Sequence, residues 1–353
     1  SIPSTPSLPY ILLVALYSHS HCLPSFVITM EHLDVPYDDE YRFVQSFSVD
    51  ELTSDEARAF LELYGFLVVR NVLTQAECDA TIDEMFSYLE AHNEGFERQR
   101  LETWSKWAGR SFGMPSNEPL FTPQLLANRQ NANVHRVFST LIGTAQLLVN
   151  HDRWAIYRPT LLVGDEYRTR DNVHLDINPW RFQQDDASLW REVDANLTYA
   201  AVRDFIAENN QVTRSTRGRQ FQAVLNLLDN EEADGGFVIV PGFHRYFERW
   251  TQSVAMTHAE CKYAFRDKDP IAKAAVRIPC AAGSMIVWDQ RCAHGSRGNR
   301  SDRMRAIQFL KMFSSEGMDE RRRLARRRCL QRLVRSSTTA ISDVGRIVFD
   351  LQD

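Results

Sequence analysis

Two amphipathic segments after residue 50 predict the first helices of the chain. Each starts with a threonine followed three positions later by a glutamate, Thr53 with Glu56 and Thr74 with Glu77. In this arrangement the hydroxyl and the carboxylate each accept a hydrogen bond from a backbone N–H group at the start of a helix. Apolar residues of the second segment recur at helical spacing, which indicates a face packed on a core. The predicted elements are helices over about residues 54–63 and 75–91, with a strand over about residues 66–70 between them.

From Trp154 onward the pattern changes to short apolar runs separated by turn residues. Helices do not alternate with these runs, so the pattern favours an antiparallel sandwich or barrel over a parallel α/β sheet. Asp234, Gly235 and Gly236 lie between two of the runs and indicate a hairpin, because glycine adopts positive φ at little cost. The predicted strands span about residues 154–157, 161–163, 173–177, 221–228, 237–240, 275–279, 284–288 and 305–312.

The two ends of the chain depart from this pattern. The apolar stretch Tyr10–Tyr17 is too short to cross a bilayer, and it lacks the basic residues that open a secretory signal. Residues 318–335 hold eight arginines, a run typical of the solvated face of an amphipathic helix, with nucleic-acid or anionic-lipid contact as the alternative. We expect an N-terminal extension over 1–46 that is partly leader-like or disordered, a main domain over 47–316, and an arginine-rich helix and tail over 317–353.

Composition narrows the class of protein. The 353 residues are 44% hydrophobic and 25% charged, which excludes a disordered chain, collagen and a disulfide-dense miniprotein. The formal net charge of −5 provides no overall basic field, so we expect no nucleic-acid partner. The six cysteines form no C-x-x-C pair, which argues against a zinc ribbon or a redox dithiol. We expect a small-molecule partner, no transmembrane segment and a cytoplasmic location, with secretion or an organelle left open by the apolar N-terminal stretch.

The first candidate metal ligands are His174 and Asp176. They lie on the same side of a predicted strand, because residues two apart on a strand point the same way. Such a tripeptide is common by chance, but a second segment adds His294 at a strand end and Arg305 eleven positions later. Two histidines and one carboxylate form the facial triad of non-haem Fe(II) oxygenases. Arginine offers a planar fork to a carboxylate. These residues together predict an Fe(II) site that binds a 2-oxo acid, with Arg305 holding the far carboxylate.

Four blocks of sequence, in this order and spacing, resemble the phytanoyl-CoA dioxygenase family of Fe(II)/2-oxoglutarate-dependent oxygenases. They lie at residues 52–78, 174–176, 234–244 and 283–305. The resemblance implies a mainly β fold with flanking helices, namely a double-stranded β-helix of the jelly-roll, cupin-like type. Under this resemblance residues 47–316 form the oxygenase domain.

Carried over by position, His174, Asp176 and His294 match the catalytic iron ligands of the family, and Arg305 matches the residue that pairs with 2-oxoglutarate. The resemblance also places the Ser296 hydroxyl against the same carboxylate. The cofactor and co-substrates it implies are Fe(II), 2-oxoglutarate and O2.

Three further residues are weaker candidates, and a third histidine, His244, is set apart. Asn226 is a candidate for co-substrate binding, because the even positions of its strand share a face and one of them should line the pocket. Trp180 and Arg181 are candidates for substrate contact, the alternative being a tryptophan packed on the barrel rim beside a solvated arginine. His244 lies outside the iron site in the family pattern and is interpreted as a residue that stabilises a turn.

The resemblance implies a dioxygenase that hydroxylates, or otherwise oxidises, a C–H bond of a small organic or lipid-like substrate and releases succinate and CO2. Asp176 favours hydroxylation, desaturation or ring closure over halogenation, because halogenating relatives leave this position open for chloride. No block indicates a coenzyme A site, so the family name does not identify the substrate. One alternative is a non-catalytic, metal-binding jelly-roll protein. A zinc-dependent, cupin-like hydrolase or isomerase is the other, but it leaves Arg305 and Ser296 without a role.

Overall fold

Two antiparallel sheets of five strands each dominate the computed structural model. The structure describes residues 11–15, 27–107, 113–183, 192, 195–210, 220–254, 262–316 and 318–351. In chain order its strands are β1 (Ile11–Ala15), β2 (Val27–Glu31), β3 (Phe66–Val69), β4 (Leu147–Val149), β5 (Trp154–Tyr157), β6 (Asn172–Leu175), β7 (Phe221–Asn226), β8 (Gly236–Ile239), β9 (Tyr263–Ala264), β10 (Val276–Arg277), β11 (Met285–Asp289), β12 (His294–Arg297), β13 (Arg305–Leu310) and β14 (Met312–Ser314).

Helices flank these sheets. They are α1 (Asp55–Tyr64), α2 (Gln75–His92), α3 (Pro123–Arg129), α4 (Ala132–Ile142), α5 (Thr160–Val163), α6 (Pro179–Gln183), α7 (Asp204–Asn210), α8 (Phe243–Ser253), α9 (Pro270–Lys273), α10 (Glu320–Arg335) and α11 (Asp343–Val348). Short 3₁₀ helices span Val49–Thr53, Leu101–Lys106, Asp165–Tyr167 and Glu232–Asp234. None of the described helices is long and apolar enough to span a membrane.

The two predicted N-terminal helices are confirmed, with one correction at a cap. Thr74 and Glu77 form the predicted reciprocal cap of α2. The cap of α1 is instead Ser54, whose hydroxyl accepts a hydrogen bond from the backbone N–H of Ala57. Thr53 ends the preceding 3₁₀ helix, so the helix begins one residue later than the pattern predicted.

The larger sheet has the strand order β3-β11-β7-β13-β5, and the smaller has the order β10-β8-β12-β6-β9. The ring centroids of Trp288 in the larger sheet and Phe237 in the smaller lie 4.5 Å apart. One hydrophobic cluster contains buried residues of both sheets, so the sheets face each other. A second cluster packs the outer face of the smaller sheet against α8. These facing antiparallel sheets with flanking helices agree with the predicted fold class and with a jelly roll.

Two local predictions were wrong. The run 161–163, predicted as a strand, belongs to the helical turn α5; Leu161 and Leu162 are exposed, so the apolar run does not enter a sheet. The predicted hairpin at Asp234 is instead a crossing from one sheet to the other, because β7 pairs with β11 and β13 whereas β8 pairs with β10 and β12. Gly235 and Gly236 do have positive φ, so the glycines serve a different connection.

The arginine-rich segment forms α10, but its arginines are not all solvated. Arg326 is buried, and its Nε lies 3.1 Å from Oε2 of Glu208 on α7. Arg323 and Arg327 both bond to the carboxylate of Asp350. The prediction of a solvated face is therefore wrong for this set, because carboxylates from distant parts of the chain pair with it.

Candidate active site

Two neighbouring strands of the smaller sheet bring the predicted metal ligands together. His174 on β6 and His294 on β12 are direct register partners, so their side chains lie on the same side of the sheet. Their ring centroids are 4.7 Å apart. Asp176 follows β6 directly. Ligand atoms of the three residues all lie within 4.8 Å of one another, although His174 and His294 are far apart in sequence.

Both imidazoles turn Nε2 toward the carboxylate of Asp176. Nε2 of His174 lies 3.4 Å from Oδ1 of Asp176, and Nε2 of His294 lies 3.6 Å from Oδ2. On the opposite side of each ring, Nδ1 faces an acceptor oxygen: Oδ1 of Asn172 at 2.9 Å and the carbonyl of Cys292 at 3.0 Å. Each Nδ1 therefore carries the hydrogen, and each Nε2 keeps its lone pair for a metal ion.

The carboxylate of Asp176 is held by a residue that the sequence did not single out. Nε2 of Gln222 on β7 donates to Oδ2 of Asp176 at 2.9 Å. Burial by itself would raise the pKa of Asp176, but the neighbouring His174 and His294 side chains outweigh burial and hold it well below its ordinary value. Burial is also the main reason why the pKa of His294 is lowered. A carboxylate and a neutral imidazole are the ligand forms that a divalent transition metal requires.

Aromatic rings wall the buried side of this triad. The ring centroid of Trp288 lies 4.8 Å from that of His294, and the Phe237 ring is stacked at 6.1 Å. Both aromatic residues and His294 are at most 4% exposed. A donor set of two imidazoles and one carboxylate, closed by rings on one side, fits the facial triad of an Fe(II) site.

Arg305 begins β13 and is 3% exposed. Its guanidinium carbon lies 4.6 Å from the ring centroid of Tyr157. Within the described part of the chain, its Nε and Nη1 atoms are buried without a hydrogen-bond partner. Gly236 makes room for the guanidinium, because a Cβ at that position would lie 2.8 Å from the Arg305 Nε. A buried guanidinium with donors left unpaired fits the carboxylate of a bound 2-oxo acid.

Ser296 lies on β12 two residues after His294, so both side chains point to the same side of the strand. Its register partners are Asn172 on β6 and Phe237 on β8. Nδ2 of Asn172 donates to the Ser296 Oγ at 3.2 Å. Because the hydroxyl accepts this bond, its own hydrogen remains available to an anionic partner.

Among the remaining candidates, Asn226, Trp180 and His244 contact other parts of the chain. Nδ2 of Asn226 donates to the carbonyls of Leu228, Cys280 and Ala281, so its amide nitrogen holds a turn, and only its oxygen is left for a co-substrate. The Trp180 ring lies 5.8 Å from the ring of Tyr263 on the rim of the smaller sheet. Arg181 belongs to α6, and its side chain lies outside the described residues. His244 is part of α8 and contacts the carbonyl of Glu62 at 3.1 Å, away from the triad.

Comparisons with known proteins agree with this geometry. A family model described as Phytanoyl-CoA dioxygenase (PhyH) matches residues 186–307, which include His294 and Arg305. A Dictyostelium discoideum protein that is provisionally named phytanoyl-CoA dioxygenase is 39% identical over 284 residues, covering 79% of this chain and 80% of that protein. The chain belongs to the phytanoyl-CoA dioxygenase family. This membership confirms the predicted enzyme class, an Fe(II)/2-oxoglutarate-dependent dioxygenase.

Solved structures share the fold of this phytanoyl-CoA dioxygenase family member at low identity. A protein from Salmonella typhimurium LT2, provisionally described as an oxidoreductase, has a TM-score of 0.54 at 15% identity, covering 81% of this chain and 76% of that chain. The Candida albicans protein GlcNAc Inducible Gene 2 has a TM-score of 0.51 at 13% identity, covering 80% of this chain and 68% of that chain. At these identities the likeness concerns the fold alone.

Two polar residues of the family member's site escaped the sequence interpretation. The strand pattern places Gln222 on the same face as Asn226. It does not indicate which even position of the strand contacts Asp176. Asn172 precedes His174 by two residues, so it lies on the same side of β6. Asparagine at this spacing carries no motif of its own, and its partner Ser296 is distant in sequence.

Proposed function

We propose that this phytanoyl-CoA dioxygenase family member oxidises a C–H bond of a small organic or lipid-like substrate, with Fe(II) bound by His174, Asp176 and His294. Arg305 and Ser296 would hold the far carboxylate of 2-oxoglutarate. The observation that carries this proposal is the buried guanidinium of Arg305, which presents unpaired donors in the same molecule as a complete set of metal ligands.

Each residue has a separate task in this proposal. Iron, 2-oxoglutarate and O2 supply the oxidising chemistry when bound, with succinate and CO2 as products. The two histidines bind through Nε2, and Gln222 keeps the Asp176 carboxylate turned toward them. The rings of Trp288 and Phe237 exclude water from the buried side of the site.

The outcome of the reaction and the substrate contacts are part of the proposal. Asp176 occupies the position where halogenation requires a free site, so hydroxylation, desaturation or ring closure is favoured. Trp180 and Arg181 are proposed substrate contacts, because α6 begins three residues after Asp176. Asn226 is proposed to contact the co-substrate through its amide oxygen.

The proposal is tested by anaerobic addition of Fe(II) and 2-oxoglutarate to the purified chain. A chelated 2-oxo acid on Fe(II) gives a visible metal-to-ligand charge-transfer band. The band should disappear in Asp176→Ala and weaken in Arg305→Ala. Arg300→Ala is the matched control, because this side chain is 65% exposed and its ion pair with Asp171 is long, at 4.0 Å. This variant should leave the band unchanged. An iron-loaded, folded protein without the band would refute the oxygenase assignment.

Substrate class requires a second experiment. Succinate release above the substrate-free rate should be measured across lipids, acyl thioesters, small alkaloid-like molecules and amino acids. A compound that stimulates release and gains oxygen, or loses hydrogen, identifies the class. A protein that shows the charge-transfer band but no stimulated release with any of these classes would favour the non-catalytic alternative.

A further inference from the structure

The amide of Asn172 contacts two parts of the candidate site that have different tasks. Its Oδ1 lies 2.9 Å from Nδ1 of His174, and its Nδ2 lies 3.2 Å from Oγ of Ser296. His174 is a proposed iron ligand, whereas Ser296 is a proposed contact of the 2-oxoglutarate carboxylate. One side chain therefore joins the metal ligands to the co-substrate pocket.

An amide suits both contacts because one end only accepts hydrogen bonds and the other only donates. Oδ1 of Asn172 requires a hydrogen on Nδ1 of His174, which keeps the Nε2 lone pair for the metal ion. Nδ2 occupies a lone pair of the Ser296 hydroxyl, which leaves the hydroxyl hydrogen for an anion. The hydrogen bond from His174 to Asn172 therefore suits a metal ligand, and the hydrogen bond from Asn172 to Ser296 suits a hydroxyl that donates to an anion.

The neighbouring strand makes room for this bridge. Asn172 and Ser296 are register partners on β6 and β12, so their side chains lie side by side. Gly295 lies directly before Ser296, and a Cβ at this glycine would lie 1.9 Å from the carbonyl oxygen of Asn172 and 2.9 Å from its Oδ1. Any larger residue would force the two strands, and with them the bridge, out of this arrangement.

We propose that Asn172 is a positioning residue that couples the iron site to the co-substrate site. It holds the tautomer of His174 and the donor direction of the Ser296 hydroxyl at the same time. This inference rests on the proposed function, because it takes His174 as an iron ligand and Ser296 as a 2-oxoglutarate contact. In this proposal Asn172 acts through His174 and Ser296 and is not itself a ligand of the metal or a contact of the substrate.

The first test separates the two contacts by substitution. Co(II) affinity is measured without co-substrate, and 2-oxoglutarate affinity is measured by calorimetry on Mn(II)-saturated protein. Asn172→Ala should weaken Co(II) binding by about 10- to 100-fold, as loss of a residue that orients a metal ligand does. It should also weaken 2-oxoglutarate binding by about tenfold, through the lost hydrogen bond to the hydroxyl. Asn133→Ala, at an exposed asparagine of α4, is the matched control and should change neither affinity.

Asn172→Asp then distinguishes positioning from general damage. Its carboxylate still accepts from His174, so Co(II) affinity should return to within about threefold of the original protein. A carboxylate cannot donate to Ser296, so 2-oxoglutarate affinity should remain low. Recovery of both affinities, or of neither, would overturn the proposal.

A double-mutant cycle tests the route through Ser296. In the Ser296→Ala background, Asn172→Ala should cause no further loss of 2-oxoglutarate affinity beyond about twofold, because both changes remove the same contact. Losses that multiply would contradict the bridge, as would an Asn172→Ala protein with unchanged affinities. If Asn172→Ala does not fold, Asn172→Ser provides the same cycle, since its side chain is too short for both contacts. Absence of the charge-transfer band in the unmodified protein would instead remove the proposed function itself.

Discussion

Replacing Arg305 with methionine should stabilise the protein without ligand and remove most of its stabilisation by 2-oxoglutarate. Without a carboxylate, the buried guanidinium leaves Nε and Nη1 unpaired within the described residues. Each buried, unpaired donor costs about 1–3 kcal/mol. The contact with the Tyr157 ring stabilises the buried guanidinium by about 1–2 kcal/mol. Methionine keeps an unbranched side chain and removes the charge, but it is shorter than arginine and leaves part of the space empty. We therefore expect a net gain in the lower part of this range, about 1–2 kcal/mol in the free energy of unfolding.

These free energies correspond to measurable changes in melting temperature. An unfolding entropy of about 2.1 cal/mol/K per residue gives roughly 0.7 kcal/mol/K for this chain, so the ligand-free Arg305→Met protein should melt about 2 °C higher. With Fe(II) under anaerobic conditions, 2-oxoglutarate at 100 times its dissociation constant stabilises a protein by about 2.7 kcal/mol. The unmodified protein should therefore gain about 4 °C, whereas Arg305→Met should gain less than about 1 °C at the same 2-oxoglutarate concentration.

Differential scanning calorimetry with and without 2-oxoglutarate gives all four melting temperatures. Arg300→Met is the control, since this exposed side chain should affect neither the baseline nor the gain. The order of stabilities should invert: the variant is more stable without ligand, and the unmodified protein is more stable with it. Two results would refute the reasoning that the unpaired donors of Arg305 bind the carboxylate of 2-oxoglutarate. One is a variant that keeps the full ligand-induced gain in melting temperature, and the other is a variant that melts well below the unmodified protein without ligand.

Three further predictions concern other buried polar contacts. Glu208→Gln should lower the free energy of unfolding by about 3–5 kcal/mol in thermal denaturation, because it removes the carboxylate charge that pairs with the buried guanidinium of Arg326; a loss below 1 kcal/mol would contradict this. Burial by itself would raise the pKa of Asp350, but two arginines of α10 outweigh burial and lower it. Its contribution to stability is thus complete above the unfolded-state pKa and is lost as pH falls through the lower folded-state pKa. Asp350→Asn should be less stable than the unmodified protein at pH 7, with the difference shrinking below about pH 4; an unchanged difference at low pH would be the contrary result. Gln222→Leu should weaken Co(II) binding by about tenfold, because the Asp176 carboxylate loses the bond that orients it, and equal affinities would exclude this role.

Motifs of the facial-triad kind were predictable because their chemistry limits the choice of residues. Two histidines and an aspartate in that spacing, followed by an arginine, have few alternative explanations, and the structure brings possible ligand atoms of the three proposed metal ligands within 4.8 Å of one another. Gln222 and Asn172 were not predictable in the same way. Their side chains are common in proteins, and only the register of β6, β7 and β12 shows which oxygen or nitrogen each of them meets.

Capping motifs and strand periodicity were sufficient to predict α2 and most strands, since both signals depend on residues that are neighbours in sequence. The hairpin predicted at Asp234 failed because glycines with positive φ serve a crossing between sheets as well as a tight turn. The order of the strands decides between the two, and that order is set by burial of both sheet faces rather than by the turn itself.

The amino-acid sequence by itself determined the family, the secondary structure around its capping motifs and the residues proposed to bind iron, because these depend on residue chemistry and short-range spacing. Only the tertiary structure decided that Arg305 is buried with unpaired donors, that Asn172 joins His174 to Ser296, and that the arginines of α10 pair with distant carboxylates. Burial and the pairing of charges arise from contacts between segments far apart in the chain, and a linear pattern contains no measure of either.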